Sequence, residues 1–145
     1  MRPSRDSTYM EIAKVISRRT TCARRAVGAV ATDVQGYILG TGYNGVPSTF
    51  LHCNEGHQCS GASSLSGTNL EGCAAIHCEQ NLLLHCSDLK RIHTIYITTS
   101  PCSSCIKLIL STTAQRIVFL EYYPGHENSK ELWERAGRIW ECYQE

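Results

Sequence analysis

Two short runs constrain this chain more than anything else in it: His77-Cys78-Glu79 and Pro101-Cys102-Ser103-Ser104-Cys105. One imidazole and two thiolates are a donor set for a tetrahedral zinc ion. Three protein donors leave the fourth position to water, which is the layout of a reactive site rather than a closed structural one. Zinc so held lowers the pKa of its water toward neutrality. Glu79 follows the imidazole by two residues and is left over as a proton carrier rather than a ligand. Whatever the fold, it has to bring residue 77 against residues 102 and 105.

The bulk properties narrow the setting. A chain of 145 residues, 42% hydrophobic and 19% charged, fits a single globular domain over 1–145. A net charge of +1 gives no broad basic face, which argues against nucleic acid as a partner. No apolar run reaches membrane-spanning length, and Met1-Arg2-Pro3-Ser4-Arg5-Asp6 lacks the apolar segment of a secretory leader. A cytoplasmic location away from membranes is therefore expected. Nine cysteines, an odd number, then read as metal ligands and buried thiols rather than disulfides. Cys78, Cys86 and Cys142 lie in apolar or periodic segments and are expected to be buried thiols. Cys22, Cys53, Cys59 and Cys73 surround a long stretch with little periodicity. A second, closed zinc site on these residues, with His57 as an alternative ligand, would order it.

The pattern along the chain alternates. Thr8 with Glu11 reads as a capping box, and Tyr9, Ile12, Ala13 and Ile16 give an apolar helix face, so a helix is expected to about Arg19. Val27–Thr32 and Tyr37–Thr41 flank a turn and predict an antiparallel hairpin that ends in Gly42-Tyr43-Asn44-Gly45-Val46-Pro47. A helix over Ile76–Cys86 is expected to turn Ile76, Leu83 and Leu84 inward. A strand around Ile95–Thr99, a helix over Ser103–Thr112 and a strand over Arg116–Glu121 follow. Asn128 with Glu131 predicts a cap for a last helix through Arg135, stopped by Gly137, before an edge strand at Ile139–Tyr143. Alternation after residue 75 implies parallel pairing, and the hairpin makes the sheet mixed. The expected class is α/β, a three-layer α/β/α sandwich on a mixed sheet of about five strands. Both Cys102 and His77 fall at helix starts, whose unpaired N–H groups favour thiolates.

H-x-E followed by P-C-x-x-C is a known signature of zinc nucleobase deaminases. With Cys22-Ala23-Arg24-Arg25-Ala26-Val27-Gly28-Ala29-Val30, Gly42-Tyr43-Asn44-Gly45 and Val118-Phe119-Leu120-Glu121-Tyr122-Tyr123, the chain resembles the deoxycytidylate (dCMP) deaminases of the cytidine deaminase superfamily. It departs from them at Cys78, where the family usually has Ala. The resemblance implies hydrolysis of dCMP to dUMP and ammonia, feeding thymidylate synthesis, with Glu79 as the proton carrier. It implies that Asn44 holds the deoxyribose 3′-hydroxyl, that Tyr123 lies near the substrate and that Arg24 contacts phosphate. It further implies a homohexamer, a second structural zinc, activation by dCTP and inhibition by dTTP with Mg²⁺ on the triphosphate. The effector is expected at Gly42, Tyr43, Asn44 and Gly45, where exposed N–H groups would cradle an anion beside the Arg18, Arg19, Arg24 and Arg25 cluster. The competing readings are a deaminase of cytidine or adenosine with no phosphate requirement, and a non-catalytic zinc module. Glu79 counts against the latter, because a structural site needs no base.

Overall fold

The computed structural model describes residues 1–21, 25–47 and 75–145. Its elements run α1 (Arg5–Ser17), β1 (Gly28–Thr32), β2 (Ile38–Tyr43), α2 (Cys78–His85), β3 (Thr94–Thr99), α3 (Ser103–Ile109), β4 (Arg116–Glu121), α4 (His126–Arg135) and β5 (Ile139–Cys142). The sheet order is β2-β1-β3-β4-β5. β1 is antiparallel to both β2 and β3, whereas β3, β4 and β5 are mutually parallel. The expected mixed five-stranded sheet is present.

Both faces of the sheet are covered. Met10 and Ala13 of α1 pack on Val30, Tyr96 and Val118 on one side. On the other, Cys78 and Leu82 of α2, Ile106 and Ile109 of α3, and Trp133 of α4 pack on Ala29, Ile95, Ile97, Ile117 and Phe119. All six residues of β3 are buried, as suits a central strand sandwiched between helix layers.

Several boundaries differ from the sequence expectation, each for a local reason. α1 is capped by Ser4, whose Oγ accepts the Ser7 N–H at 3.1 Å, so the helix starts ahead of Thr8. The Thr8 hydroxyl instead donates to the Ser4 carbonyl at 2.9 Å. The helix closes at Ser17 because Arg18 and Arg19 donate only three residues back, to Val15 and Ile16. In α2 the inward residues are Cys78, Glu79 and Leu82, while Leu84 faces out, 72% exposed. Ile76 lies ahead of that helix and exchanges two backbone hydrogen bonds with Gly45. Cys78 is buried as expected, but Cys86 and Cys142 are only half-buried. α3 stops at Ile109, and Arg138 gathers the carbonyls that follow, donating to Leu110, Thr112 and Ala114 at 3.0, 3.2 and 2.8 Å. α4 begins two residues before Asn128, after Gly125 at φ +82°, and Asn128 donates to Ser103 Oγ at 2.7 Å rather than capping.

One ionic cluster ties α1 to the far half of the sheet. Arg116 donates to both oxygens of Asp6 at 2.8 and 2.6 Å and to both of Glu141 at 2.9 and 2.8 Å, while Tyr96 donates to Asp6 at 2.7 Å. The Arg116 hydrogen bond holds the Asp6 carboxyl below its ordinary range. A depressed carboxylate pKa contributes stability above the unfolded-state value and loses it as pH falls through the folded one. Asp6→Asn is therefore expected to cost about 1 kcal/mol at neutral pH, since the cluster is partly solvent-screened. The cost should shrink once the pH drops below the ordinary Asp range. Urea titrations of both proteins at neutral and acid pH check this, and a pH-independent difference would contradict it.

Candidate metal centre and its surroundings

The topology decides where chemistry can collect. β3 and β4 end at the same edge of the sheet, and because β1 is antiparallel to β3, the entry to β1 lies at that edge too. Gly28 pairs with Tyr43, which brings the exit of β2 to the same place. Residues 25–28, 43–45, 99–102 and 121–123 thus converge where open α/β sheets bind ligands, beyond the carboxyl ends of the parallel strands.

Two helices begin there. His77 is the N-cap of α2 and Cys102 the N-cap of α3, both with extended backbone. The His77 N–H donates to Gln80 Oε1 at 2.9 Å, which fixes the helix start and leaves the ring for other work. His77 Nδ1 lies 3.6 Å from Cys102 Sγ and 3.3 Å from Cys105 Sγ, and the three donors all fall within 4.8 Å of one another. Tetrahedral zinc with ordinary Zn–N and Zn–S bonds would hold its donors roughly 3.6 Å apart. The donor set therefore fits a zinc ion in kind and in spacing.

The proton distribution points the same way. The Cys105 thiol beside Cys102 lowers the Cys102 pKa to about 4, with His77 assisting. Cys105 is pushed up, first by that same hydrogen bond to Cys102 and then by burial. His77 is raised by its hydrogen bond to Cys102. A divalent ion bound by these three donors would displace their protons.

Glu79 is 6% exposed on the first turn of α2. Burial, and after it the negative Cys102, push its pKa up to about 7. The residue expected to carry protons thus sits in a setting that can hold and release one. Cys78, between His77 and Glu79, points elsewhere and donates to the Gly42 carbonyl at 3.3 Å.

The Gly42–Gly45 segment serves purposes its sequence did not reveal. A Cβ on Gly42 would lie 2.6 Å from the Leu82 nitrogen and 2.7 Å from the Cys78 carbonyl, so glycine lets α2 lie directly on β2. The N–H groups of Asn44, Gly45 and Val46 donate to Val27 O, Ile76 O and Thr21 Oγ1. Those three N–H groups are thus engaged within the chain. The Asn44 side chain is buried: its Oδ1 accepts from Val27 N–H and the Thr20 hydroxyl at 2.9 and 2.8 Å, and its Nδ2 donates to the Arg25 carbonyl at 2.5 Å. These bonds join the β2 exit to the β1 entry. Asn81 of α2 adds a tie to the Tyr43 carbonyl at 2.8 Å. It stands one helical turn after His77, a spacing by which the sequence could have marked it.

Tyr123 lies just past β4. Its N–H donates to Ser100 Oγ at 2.7 Å, next to Pro101-Cys102, and the Arg25 guanidinium stands 5.1 Å from its ring centroid. Arg24, Cys22, Cys53, His57, Cys59 and Cys73 lie outside the described residues. A cleft of about 750 Å³ opens against Arg19, Tyr43, Gly45, Asn81 and His85.

Fold and site together define an α/β protein with three donors spaced to hold a metal ion and a buried carboxylate beside them. The chain belongs to the cytidine and deoxycytidylate deaminase family, whose zinc-binding region matches residues 3–121. It is 35% identical over 142 residues to a deoxycytidylate deaminase of Schizosaccharomyces pombe, covering 94% of this chain and 43% of that protein. It therefore spans less than half the length of that relative. A deoxycytidylate deaminase of Mycobacterium phage D29 is 35% identical over 123 residues, covering 81% of this chain and 95% of the phage protein. The fold matches the dCMP deaminase of cyanophage S-TIM5 in complex with dCMP and dUMP, with a TM-score of 0.76 and 25% identity across 99% of both chains.

Proposed function

We propose that this chain is a zinc-dependent deaminase that converts dCMP to dUMP and ammonia, so providing dUMP for thymidylate synthesis. One observation carries the reading: the buried Glu79 carboxylate beside a His77–Cys102–Cys105 donor set of zinc spacing. Zinc bound there would supply Lewis acidity and a water deprotonated near neutral pH. Glu79 would take the proton from that water, deliver it to the cytosine ring nitrogen N3 and then pass one to the departing amine. His77, Cys102 and Cys105 would fix the reacting centre at two rigid helix starts. A base next to the donor set favours this over a non-catalytic zinc module. The test is ammonia release from dCMP, CMP, deoxycytidine and cytidine. Preference for dCMP is expected, and release from none of them would end the reading.

Control by dCTP and dTTP with Mg²⁺ is supported by the cleft against Arg19, Tyr43 and Gly45. A dCMP saturation curve that shifts left with dCTP and right with dTTP is expected, and one unmoved by either would remove it. Homohexamer assembly rests on the family resemblance, and a cytoplasmic location on the sequence pattern. Among the described residues no helix is long and apolar enough to cross a membrane. A second zinc on Cys22, Cys53, Cys73 and either Cys59 or His57 rests on sequence, and a zinc content of two per chain would support it.

A further inference from the structure

Asn81 is a half-buried amide on α2 that no step of the proposed reaction uses. Its Nδ2 donates to the Tyr43 carbonyl at 2.8 Å, and its backbone N–H donates to the His77 carbonyl at 3.0 Å. Just before His77, the Ile76 N–H donates to the Gly45 carbonyl at 2.8 Å, and the Gly45 N–H donates back to Ile76 at 3.2 Å. These bonds close a ring. Tyr43, Asn44 and Gly45 form one side of it, and Ile76, His77 and the first turn of α2 form the other. Of these links only the Asn81 amide comes from a side chain.

The ring joins two walls of the site. One carries His77 and Glu79 at the start of α2. The other is the exit of β2, with Asn44, which the family resemblance assigns to the sugar. Gly42 lets the α2 backbone rest on β2, but apolar packing has no direction and does not set the register between them. The Cys78 thiol reaches the Gly42 carbonyl at 3.3 Å, yet a thiol is a weak donor. A short amide-to-carbonyl bond is directional and does set the register. We infer that Asn81 is a positioning residue for the reaction, holding the His77–Glu79 turn in register with the Tyr43–Asn44 wall. Substrate gripped by one wall then meets the reacting groups on the other. The inference rests on the reading of the chain as a nucleotide deaminase. A misplacement of about 1 Å, made away from the reacting atoms, can cost about 10²-fold in rate. The loss should fall on turnover rather than on binding, because each wall keeps its own contacts.

The experiment compares Asn81→Ala with the parent as zinc-loaded full chains. Alanine favours the helix, so α2 should persist. The kcat for dCMP is expected to fall about ten- to a hundredfold, with KM within about twofold of the parent. Zinc per chain and calorimetric affinity for dUMP should stay parental. Asn81→Gln, which keeps an amide donor on a longer stem, should regain part of the turnover. Hydrogen exchange should quicken at Gly45 and Ile76 and not in β3 or β4, a readout that needs no activity. If Asn81→Ala does not fold, Asn81→Leu, which keeps the branched shape without the donor, carries the same expectation. Unchanged kcat would overturn the inference, as would a loss shared equally by kcat and dUMP binding. Exchange that quickens throughout the sheet would also overturn it, because Asn81 would then support the fold alone. A parent chain that releases no ammonia would overturn the deaminase reading, whereas unchanged exchange in Asn81→Ala would overturn the tie itself, so the two failures are told apart.

Discussion

Glu79→Gln is expected to lower turnover of dCMP about 10²- to 10⁴-fold, the usual contribution of a positioned acid–base group. The change is nearly isosteric, and Glu79 is 6% exposed inside a packed helix turn. The amide fills the same space but cannot take a proton from water and return it. Zinc content and thermal stability should therefore stay near those of the parent, because His77, Cys102 and Cys105 are untouched. Measuring ammonia release together with zinc per chain separates this from loss of the site. A variant with near-parental turnover would remove Glu79 from the chemistry, and one that loses zinc would make it part of the metal's support instead.

Cys105→Ala is expected to go further, removing both zinc and activity. Cys105 is buried on the first turn of α3 and shares the His77 Nδ1 face with Cys102. Two donors cannot close a site built for three. The fall in zinc affinity should exceed the 10- to 100-fold typical for loss of a supporting residue that does not touch the metal. The small apolar replacement suits the surrounding burial, so secondary structure should persist. Chelation of the parent chain should give the same loss, with activity returning when zinc is added. Activity that survives chelation would mean that the donors at residues 77, 102 and 105 do not serve catalysis.

The meeting of His77, Cys102 and Cys105 beside Glu79 was legible in the sequence because each lies at or near a helix start. A ligand at the start of a helix projects from a known turn, and Glu79 two residues on must stay near it. β3 and β4 were also legible, since short apolar runs bounded by turns have one good use. The phase of α2 was not. Leu82-Leu83-Leu84 is a continuous apolar run in an eight-residue helix, so periodicity could not choose which leucine faces inward, and contact with β2 chose Leu82. The start of α4 was hidden because Asn128 looks like a cap, whereas the helix begins at His126 after Gly125 and the Asn128 amide donates to Ser103. The partners of Asn44 were beyond reach for a similar reason. They come from residues 20, 25 and 27, which only the antiparallel return of the chain brings near.

The contact at Gly42 bears on how such a chain can vary over time. With the α2 backbone resting on β2 there, a side chain gained at residue 42 would have to push back the helix that carries both His77 and Glu79. Drift at this position is closed to every residue but glycine, although it touches no ligand. Leu84, two residues beyond the buried Leu82 and facing outward, can change freely without disturbing the donors. The strand and the helix are inherited as one mechanical part, and new specificities have to arise from the loops around it.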